Sequence, residues 1–199
     1  MNTHQISRTD PDAADIDISS LLAPRIKLHG KVDDGMLHSF LSQLDAALGK
    51  DGLIGVQVFT AGGDADVGRR IADEIRLCRE HRGRDLAFFG VTNVYSAGVT
   101  IMGAFPRERR YLGRDAVLLI HGRKIQEQKL PAGPLPSALQ FARLKVSELE
   151  NGLRLERQEF ERLIVGSTLT IEALEERAAT NWYVTAEEAL TLKLIGGLV

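Results

Sequence analysis

The stretch DLAFFGVTNVYSAGVTIMGAF, residues Asp85–Phe105, decides the fold. Its beginning, Asp85–Gly90, is a short apolar run that predicts a buried strand. Its second half, Ser96–Phe105, is almost uncharged and consists of small and apolar residues, which predicts a helix enclosed by the rest of the protein. A buried strand that leads into a buried helix is typical of an α/β protein.

Strands and helices alternate on both sides of this stretch. Further strands are predicted at Arg25–His29, Leu53–Thr60, Arg109–Leu112 and Ala116–Ile120. Helices are predicted at about 37–48, from Asp66, from Ser137 to about Val165, from Thr170 to about Ala179 and from Thr185. The helix from Ser137 is long enough to project beyond its own domain. The alternation predicts an α/β fold.

Length and composition predict one globular domain. The chain has 199 residues, of which 44% are hydrophobic and 26% charged, and domains usually run to about 100–150 residues. The opening, Met1–Asp15, is polar and predicts a mobile arm, so the domain is expected over Ile16–Val199. Lys and Arg number 25 against 27 Asp and Glu, a net charge of −2. This balance argues against binding to nucleic acid or to an anionic membrane.

The sequence shows no sign of a membrane, secreted or thiol protein. No run approaches the roughly 20 apolar residues of a membrane span, and the polar start does not resemble a signal peptide, so we expect a cytoplasmic protein. Cys78 is the only cysteine, which excludes an internal disulfide and a cysteine-built zinc site. The histidines form no spaced metal-binding pattern, so neither a metal nor a cofactor is expected.

Ser96 lies between the predicted buried strand and the predicted buried helix. A helix N-terminus offers free N–H groups beside a nucleophile that must develop an oxyanion. A plain helix-capping serine is the simpler interpretation, because position 94 is valine and only half of the hydrolase motif G-x-S-x-G is present. Both interpretations stay open on these residues alone.

His121 follows the apolar run Val117–Ile120. Functional residues of α/β sheets tend to lie at strand ends, and a histidine there can serve as the general base for a serine. A structural histidine with satisfied hydrogen bonds is an equal alternative.

Gly62 and Gly63 follow the strand that ends at Thr60. Glycine permits a tight turn and the close approach of a ligand to the backbone N–H groups. A phosphate-binding loop is disfavoured, because the P-loop lysine is missing and Asp64 and Asp66 would repel phosphate. A simple turn remains an alternative.

Four short segments, taken in order, resemble the Clp protease proteolytic subunit family, ClpP, serine peptidases of the crotonase-like fold. They are Ala61–Gly63, Tyr95–Gly98, Leu119–His121 and Asn181–Ala189. The resemblance runs over Ile16–Val199. It implies a spiral of β-β-α units with a projecting handle helix, a peptide or unfolded-protein substrate and a homo-oligomeric ring. It also implies Ser96 as nucleophile, His121 as base, and the N–H groups of Gly63 and Ala97 as the oxyanion hole.

Asn181 stands where the family has an aspartate. An asparagine oxygen can accept from the imidazole N–H, but it carries no charge to stabilise the imidazolium. We therefore expect Asn181 in the third triad position and an activity that is low. Asp64 or Asp66 could substitute if the glycine turn folds back.

The chain departs from the family pattern in its partners as well. The segment Gly122–Lys129 and the proline-rich insertion after it replace a glycine-rich strand, and the arm lacks the loops that engage a partner ATPase, so no unfoldase partner is implied. Two rivals remain: a catalytically weakened ring subunit, and a crotonase-fold enzyme that acts on acyl thioesters. The charged surface of the helix from Ser137 fits either a solvated face or a subunit interface.

Overall fold

The computed structural model describes residues 8–9, 18–124 and 132–199. Most of the predicted arm, the end of the segment Gly122–Lys129 and the start of the proline-rich insertion lie outside the described residues. Within them, the strands are β1 (Arg8–Thr9), β2 (Ile26–His29), β3 (Ile54–Thr60), β4 (Leu86–Tyr95), β5 (Arg110–Leu112), β6 (Val117–Ile120), β7 (Trp182–Thr185) and β8 (Gly197–Leu198). The helices are α1 (Ile18–Leu22), α2 (Asp34–Leu48), α3 (Ala65–Arg82), α4 (Ala97–Met102), α5 (Leu135–Ile164), α6 (Ile171–Ala178) and α7 (Ala186–Thr191).

All the described strands belong to one mixed sheet, in the order β1-β8-β5-β4-β3-β2, with β6 and β7 attached through β4. β2 to β5 and β8 are parallel neighbours. β6 is parallel to β4, whereas β7 is antiparallel to β6 and β1 is antiparallel to β8. The predicted α/β fold is confirmed.

β4 is longer than the sequence predicted, because it bends and changes partner. Its first half pairs with β5 through Phe88 to Gly90, and its last residues, Asn93 to Tyr95, pair with β6. Thr92, at the bend, has a φ of 55° and is exposed. The sequence predicted that the strand ends at Gly90 because polar residues follow it, and these polar residues form the bend. The continuation carries Ser96 alongside the carboxyl end of β6.

The helices cover both faces of the sheet. On one face, α2, α3 and α4 bury a large cluster that includes Phe40, Ile71, Ile75 and Phe88. Cys78 belongs to this cluster, and burial raises the pKa of its thiol. On the other face, α1 and its Leu21 pack on Phe89 and Tyr111. The cysteine is therefore a core residue, as the stripe of its helix predicted.

Arg110 ties three parts of the chain together from inside the protein. It is 1% exposed and donates to the main-chain oxygens of Phe105 (2.8 Å), Leu163 (2.6 Å) and Leu194 (3.1 Å). Burial lowers the pKa of Arg110 to about 10, so the guanidinium remains charged at neutral pH. The ends of α4 and α5 and the C-terminal segment are joined through this one side chain.

α5 begins at Leu135, slightly before the predicted start, and most of it projects from the domain. Only Phe160 and Leu163 of this helix are buried. Four apolar side chains along one face of its outer part are 42–65% exposed: Leu139, Val146, Leu149 and Leu153. None of the helices in the described part of the chain is both long and apolar enough to cross a membrane.

Candidate active site

Ser96 occupies a strained junction between β4 and α4. Its φ and ψ are 55° and −117°, a conformation that non-glycine residues rarely adopt and that costs about 1–3 kcal/mol. Its N–H donates to Leu119 O of β6 at 2.9 Å. It stands at the N-cap of α4, yet its hydroxyl makes no capping hydrogen bond. The capping interpretation therefore does not explain Ser96. Its hydroxyl makes no capping contact and can act as a nucleophile.

His121 lies beside Ser96 because the two residues follow neighbouring parallel strands. Tyr95 pairs with Leu119 in the β4–β6 register, so Ser96 and His121 leave the sheet at the same edge. Both line a small cleft of about 40 Å³. Within the described residues, no hydrogen bond joins Ser96 Oγ to the imidazole. Such bonds are often long in unliganded sites and shorten when substrate binds.

The glycine turn rests directly against Ser96. Gly62 has a φ of 97°, and a Cβ at this position would lie 2.7 Å from Ser96 Cβ, so no other residue fits without displacement. Thr60, fully buried, holds the turn by accepting a hydrogen bond from Gly62 N at 2.9 Å. The structure thus brings a distant glycine pair to the serine.

Two backbone N–H groups beside Ser96 have no partner among the described residues. Val32 N donates to Gly62 O (3.0 Å) and Asp64 N donates to Val32 O (2.8 Å), and alternate peptide groups of an extended chain point to opposite sides. The N–H of Gly63 therefore points away from Val32. The N–H of Ala97 is the first of α4 and has no intrahelical acceptor. Unpaired N–H groups of this kind are what an oxyanion hole requires.

Asn181 is near His121 in the sheet but makes no hydrogen bond with the imidazole among the described residues. Ile120 pairs with Trp182 in the antiparallel β6–β7 register, which places Asn181 opposite His121, one step beyond the ladder. Asn181 is exposed and has a φ of 60°, and no hydrogen bond links it to His121 among the described residues. The residue predicted for the third triad position therefore lies next to His121, but it makes no hydrogen bond with it among the described residues.

The two aspartates considered as substitutes are engaged elsewhere. Asp64 caps α3 by accepting from the N–H groups of Asp66 and Val67 at 2.8 and 3.1 Å. Asp66 accepts from Arg123 Nη1 at 2.8 Å. Neither is hydrogen-bonded to His121 in the described part of the chain.

The wall of the cleft opposite Ser96 is made by charged residues. Arg123 Nη2 donates to Glu159 Oε1 of α5 at 2.6 Å, and that carboxylate is 9% exposed. Burial alone would lower the pKa of the Arg123 guanidinium, but the hydrogen bonds to Asp66 and Glu159 raise it. Glu156, one turn earlier on α5, lines the same cleft. The cleft continues into a groove of about 400 Å³ between the glycine turn and α5.

Three residues of this site were not predicted from the sequence: Thr60, Arg123 and Glu156. The position of Thr60 could have indicated a role, because it is a polar residue at the end of an apolar strand, just before the glycine pair. No such indication exists for Arg123 and Glu156, because their positions depend on how α5 packs. Among residues 18–124 and 132–199, no group of three His, Cys, Asp or Glu side chains is placed to hold a metal ion.

Comparisons with known proteins support the architecture. No family model and no curated protein matches the sequence. Among solved structures, the chain is similar to an Asn-to-Asp mutant of ClpP1 from Listeria monocytogenes, with a TM-score of 0.70 and 17% sequence identity. The match covers 92% of this chain and 95% of that chain. The chain has a ClpP-like fold. The roles of individual residues rest on the geometry described above.

Proposed function

We propose that this chain is a serine peptidase that cleaves peptides or unfolded protein by acyl transfer. The observation that carries the proposal is Ser96, whose strained backbone presents a hydroxyl without a hydrogen-bond partner among the described residues, at the edge where His121 also leaves the sheet. His121 takes the hydroxyl proton as the serine attacks the peptide carbonyl, and returns it to the leaving amine. A water molecule, deprotonated by His121, then hydrolyses the acyl-serine, releases the carboxylic acid product and restores the Ser96 hydroxyl. The N–H groups of Gly63 and Ala97 stabilise the tetrahedral oxyanion.

The ClpP-like fold and the groove beside the site favour a peptide substrate. The groove lies between Gly63 and Glu156 of α5 and shares Ala65 and Arg123 with the cleft that holds Ser96, which gives an extended chain a path toward the serine. An enzyme acting on acyl thioesters would use the two amides without needing the serine and the histidine. The presence of both in one cleft favours the peptidase.

The projecting α5 supports assembly with further copies of the chain. Its exposed apolar positions, Leu139, Val146, Leu149 and Leu153, follow one another at intervals of seven, three and four residues, the spacing of a helix-packing seam. Exposed apolar surfaces of this kind mark sites of interaction between proteins. A second copy of the same helix supplies a matching face, which gives a two-fold contact between copies of the chain.

A weakened ring subunit is the second candidate, and the exposed, unengaged Asn181 is the observation that favours it. In chymotrypsin-like serine proteases, replacing the third-position aspartate by asparagine lowers turnover by about four decades. Assembly without measurable turnover would support this candidate over the peptidase.

Peptide turnover tests the proposal. Fluorogenic peptides and an unfolded protein are incubated with the wild type, Ser96→Ala and His121→Ala. We expect each variant to lose at least about a thousandfold in turnover. Ser39→Ala and His29→Ala, which change an exposed serine and histidine away from the cleft, serve as matched controls. Equal turnover in the wild type and Ser96→Ala would refute the assignment of the nucleophile.

A further inference from the structure

His121 is held by the main chain next to it. Its Nδ1 lies 2.6 Å from Gly122 O. A carbonyl oxygen only accepts hydrogen bonds, so Nδ1 carries the proton and Nε2 of the neutral ring is the free acceptor. This is the tautomer that a serine site needs, and in a triad the carboxylate selects it. Here a peptide carbonyl selects it.

That carbonyl belongs to the same peptide group as the N–H of Arg123. The Arg123 N–H donates to Glu156 Oε2. An unbroken chain of hydrogen bonds therefore runs from the imidazole through one peptide unit to a carboxylate. A carboxylate that accepts from the N–H of a peptide polarises the group and strengthens the hydrogen bond that its carbonyl accepts.

Close packing fixes this peptide in place. A Cβ at Gly122 would lie 3.2 Å from Glu156 Oε2, so the absence of a side chain lets the carboxylate approach the backbone. The side chain of Arg123 is anchored at Asp66 (2.8 Å) and at Glu159 (2.6 Å). The backbone and the side chain of residue 123 are thus both tied to α5.

We propose that Glu156 is a positioning residue that acts on His121 through the Gly122–Arg123 peptide. It holds the ring in the tautomer with Nε2 free and partly supplies the negative potential that an aspartate would provide directly. The inference rests on the proposed function of Ser96 and His121. It explains how the site operates while Asn181 remains unengaged.

The test compares Glu156→Met with Glu156→Gln. Both side chains match glutamate in size, but only glutamine keeps an oxygen that can accept from the Arg123 N–H. The readout is the rate of labelling by a fluorophosphonate probe. We expect the methionine variant to label about tenfold more slowly, the rate equivalent of one lost hydrogen bond, with the glutamine variant in between. Glu150→Met, an exposed position on the same helix, is the control.

Equal labelling by Glu156→Met and Glu150→Met would overturn the inference and leave the proposed function intact. Loss of the difference between the wild type and Ser96→Ala would instead refute the proposed function. A second measurement on the wild type does not depend on how the Glu156 variants fold. Imidazole ¹⁵N spectra, with the His121 signals assigned from His121→Ala, should show a protonated Nδ1 and a bare Nε2 in the neutral ring. The opposite tautomer would overturn the inference.

Discussion

At the scale of the residue, the site depends on backbone positions that tolerate almost no substitution. Ser96 is held in a strained conformation, and Gly62 lies so close that its missing side chain shapes the space around the hydroxyl. Strain of this kind persists only where the surrounding packing enforces it. The proposed reactivity of Ser96 therefore depends on the glycine turn as well as on His121.

Gly62→Ala tests this dependence. The new Cβ would meet Ser96 Cβ at 2.7 Å, so either Ser96 or the glycine turn that carries the proposed oxyanion amide of Gly63 must move. We expect fluorophosphonate labelling to slow by about a hundredfold, comparable to the loss of one oxyanion-hole donor. Gly30→Ala is the matched control, because Gly30 has a φ of 103° but no atom within 4 Å of an added Cβ. Similar labelling in the two variants would contradict this account.

Asn181→Asp tests the third position. A carboxylate opposite His121 would stabilise the imidazolium that forms as the serine loses its proton, and aspartate tolerates the positive φ of this position. We expect peptide turnover to rise several-fold, measured as kcat. Asn181→Gly, which removes the side chain and relieves the backbone, is the comparison. Unchanged or lower turnover in Asn181→Asp would mean that Asn181 is not a weakened acid position.

The sequence made some of these residues predictable and hid others. Ser96, His121 and Gly63 follow predicted strands, and strand ends are where α/β sheets place functional groups. Glu156 stands in a run of alternating charges on α5 that is typical of a solvated surface. Its contact with the Arg123 N–H arises only when α5 folds back over the end of β6, which no local pattern encodes.

At the scale of the element, Arg110 links the end of α4 to the end of α5 through its hydrogen bonds. Its guanidinium donates to main-chain oxygens just after α4 (Gly103 and Phe105), in the last turn of α5 (Arg162 and Leu163) and at Leu194. No carboxylate forms a salt bridge with it among the described residues. Main-chain dipoles therefore offset the cost of burying this charge.

Arg110→Lys should destabilise the fold. A lysine ammonium cannot reach several separate carbonyls in the planar arrangement of a guanidinium, so at least one buried oxygen loses its donor. We expect the free energy of unfolding in urea to fall by about 3 kcal/mol. Arg109→Lys, which alters a partly exposed ion pair with Asp85, should cost less than about 1 kcal/mol. Equal losses would contradict the role given to Arg110.

The elements themselves were largely predictable, and their ends were not. The order of strands and helices follows from apolar spacing. The bend in β4 does not, because Thr92 and Asn93 have the polar character of a strand end and continue only because β6 offers the second half of β4 a partner. The end of β4 is therefore set by its pairing with β6 and not by the local sequence.

At the scale of the whole molecule, the exposed apolar side chains on the outer part of α5 indicate a surface that packs against a partner. Val146 is 53% exposed and Leu144 is 58% exposed, but the two lie on different faces, since a helix turns about 100° per residue. Of these two, only Val146 lies on the face that also carries Leu139, Leu149 and Leu153. The two positions make a matched pair for testing assembly.

We expect Val146→Glu to shift the chain to a smaller species, because a buried unpaired carboxylate would oppose packing between copies. Leu144→Glu should leave the assembly unchanged. Sedimentation velocity over a range of protein concentrations measures both. Assembly that is equally sensitive at both positions, or insensitive at both, would contradict a seam along this face.

Reaction of Ser96 with a fluorophosphonate shows whether this serine is a nucleophile. The wild type, Ser96→Ala and His121→Ala are treated with the probe, beside a ClpP control, and the modified peptide is identified by mass spectrometry. The account predicts a single adduct on Ser96 in the wild type, none in Ser96→Ala and a greatly slowed reaction in His121→Ala. No adduct under conditions that label the control, or an adduct on another residue, would contradict it.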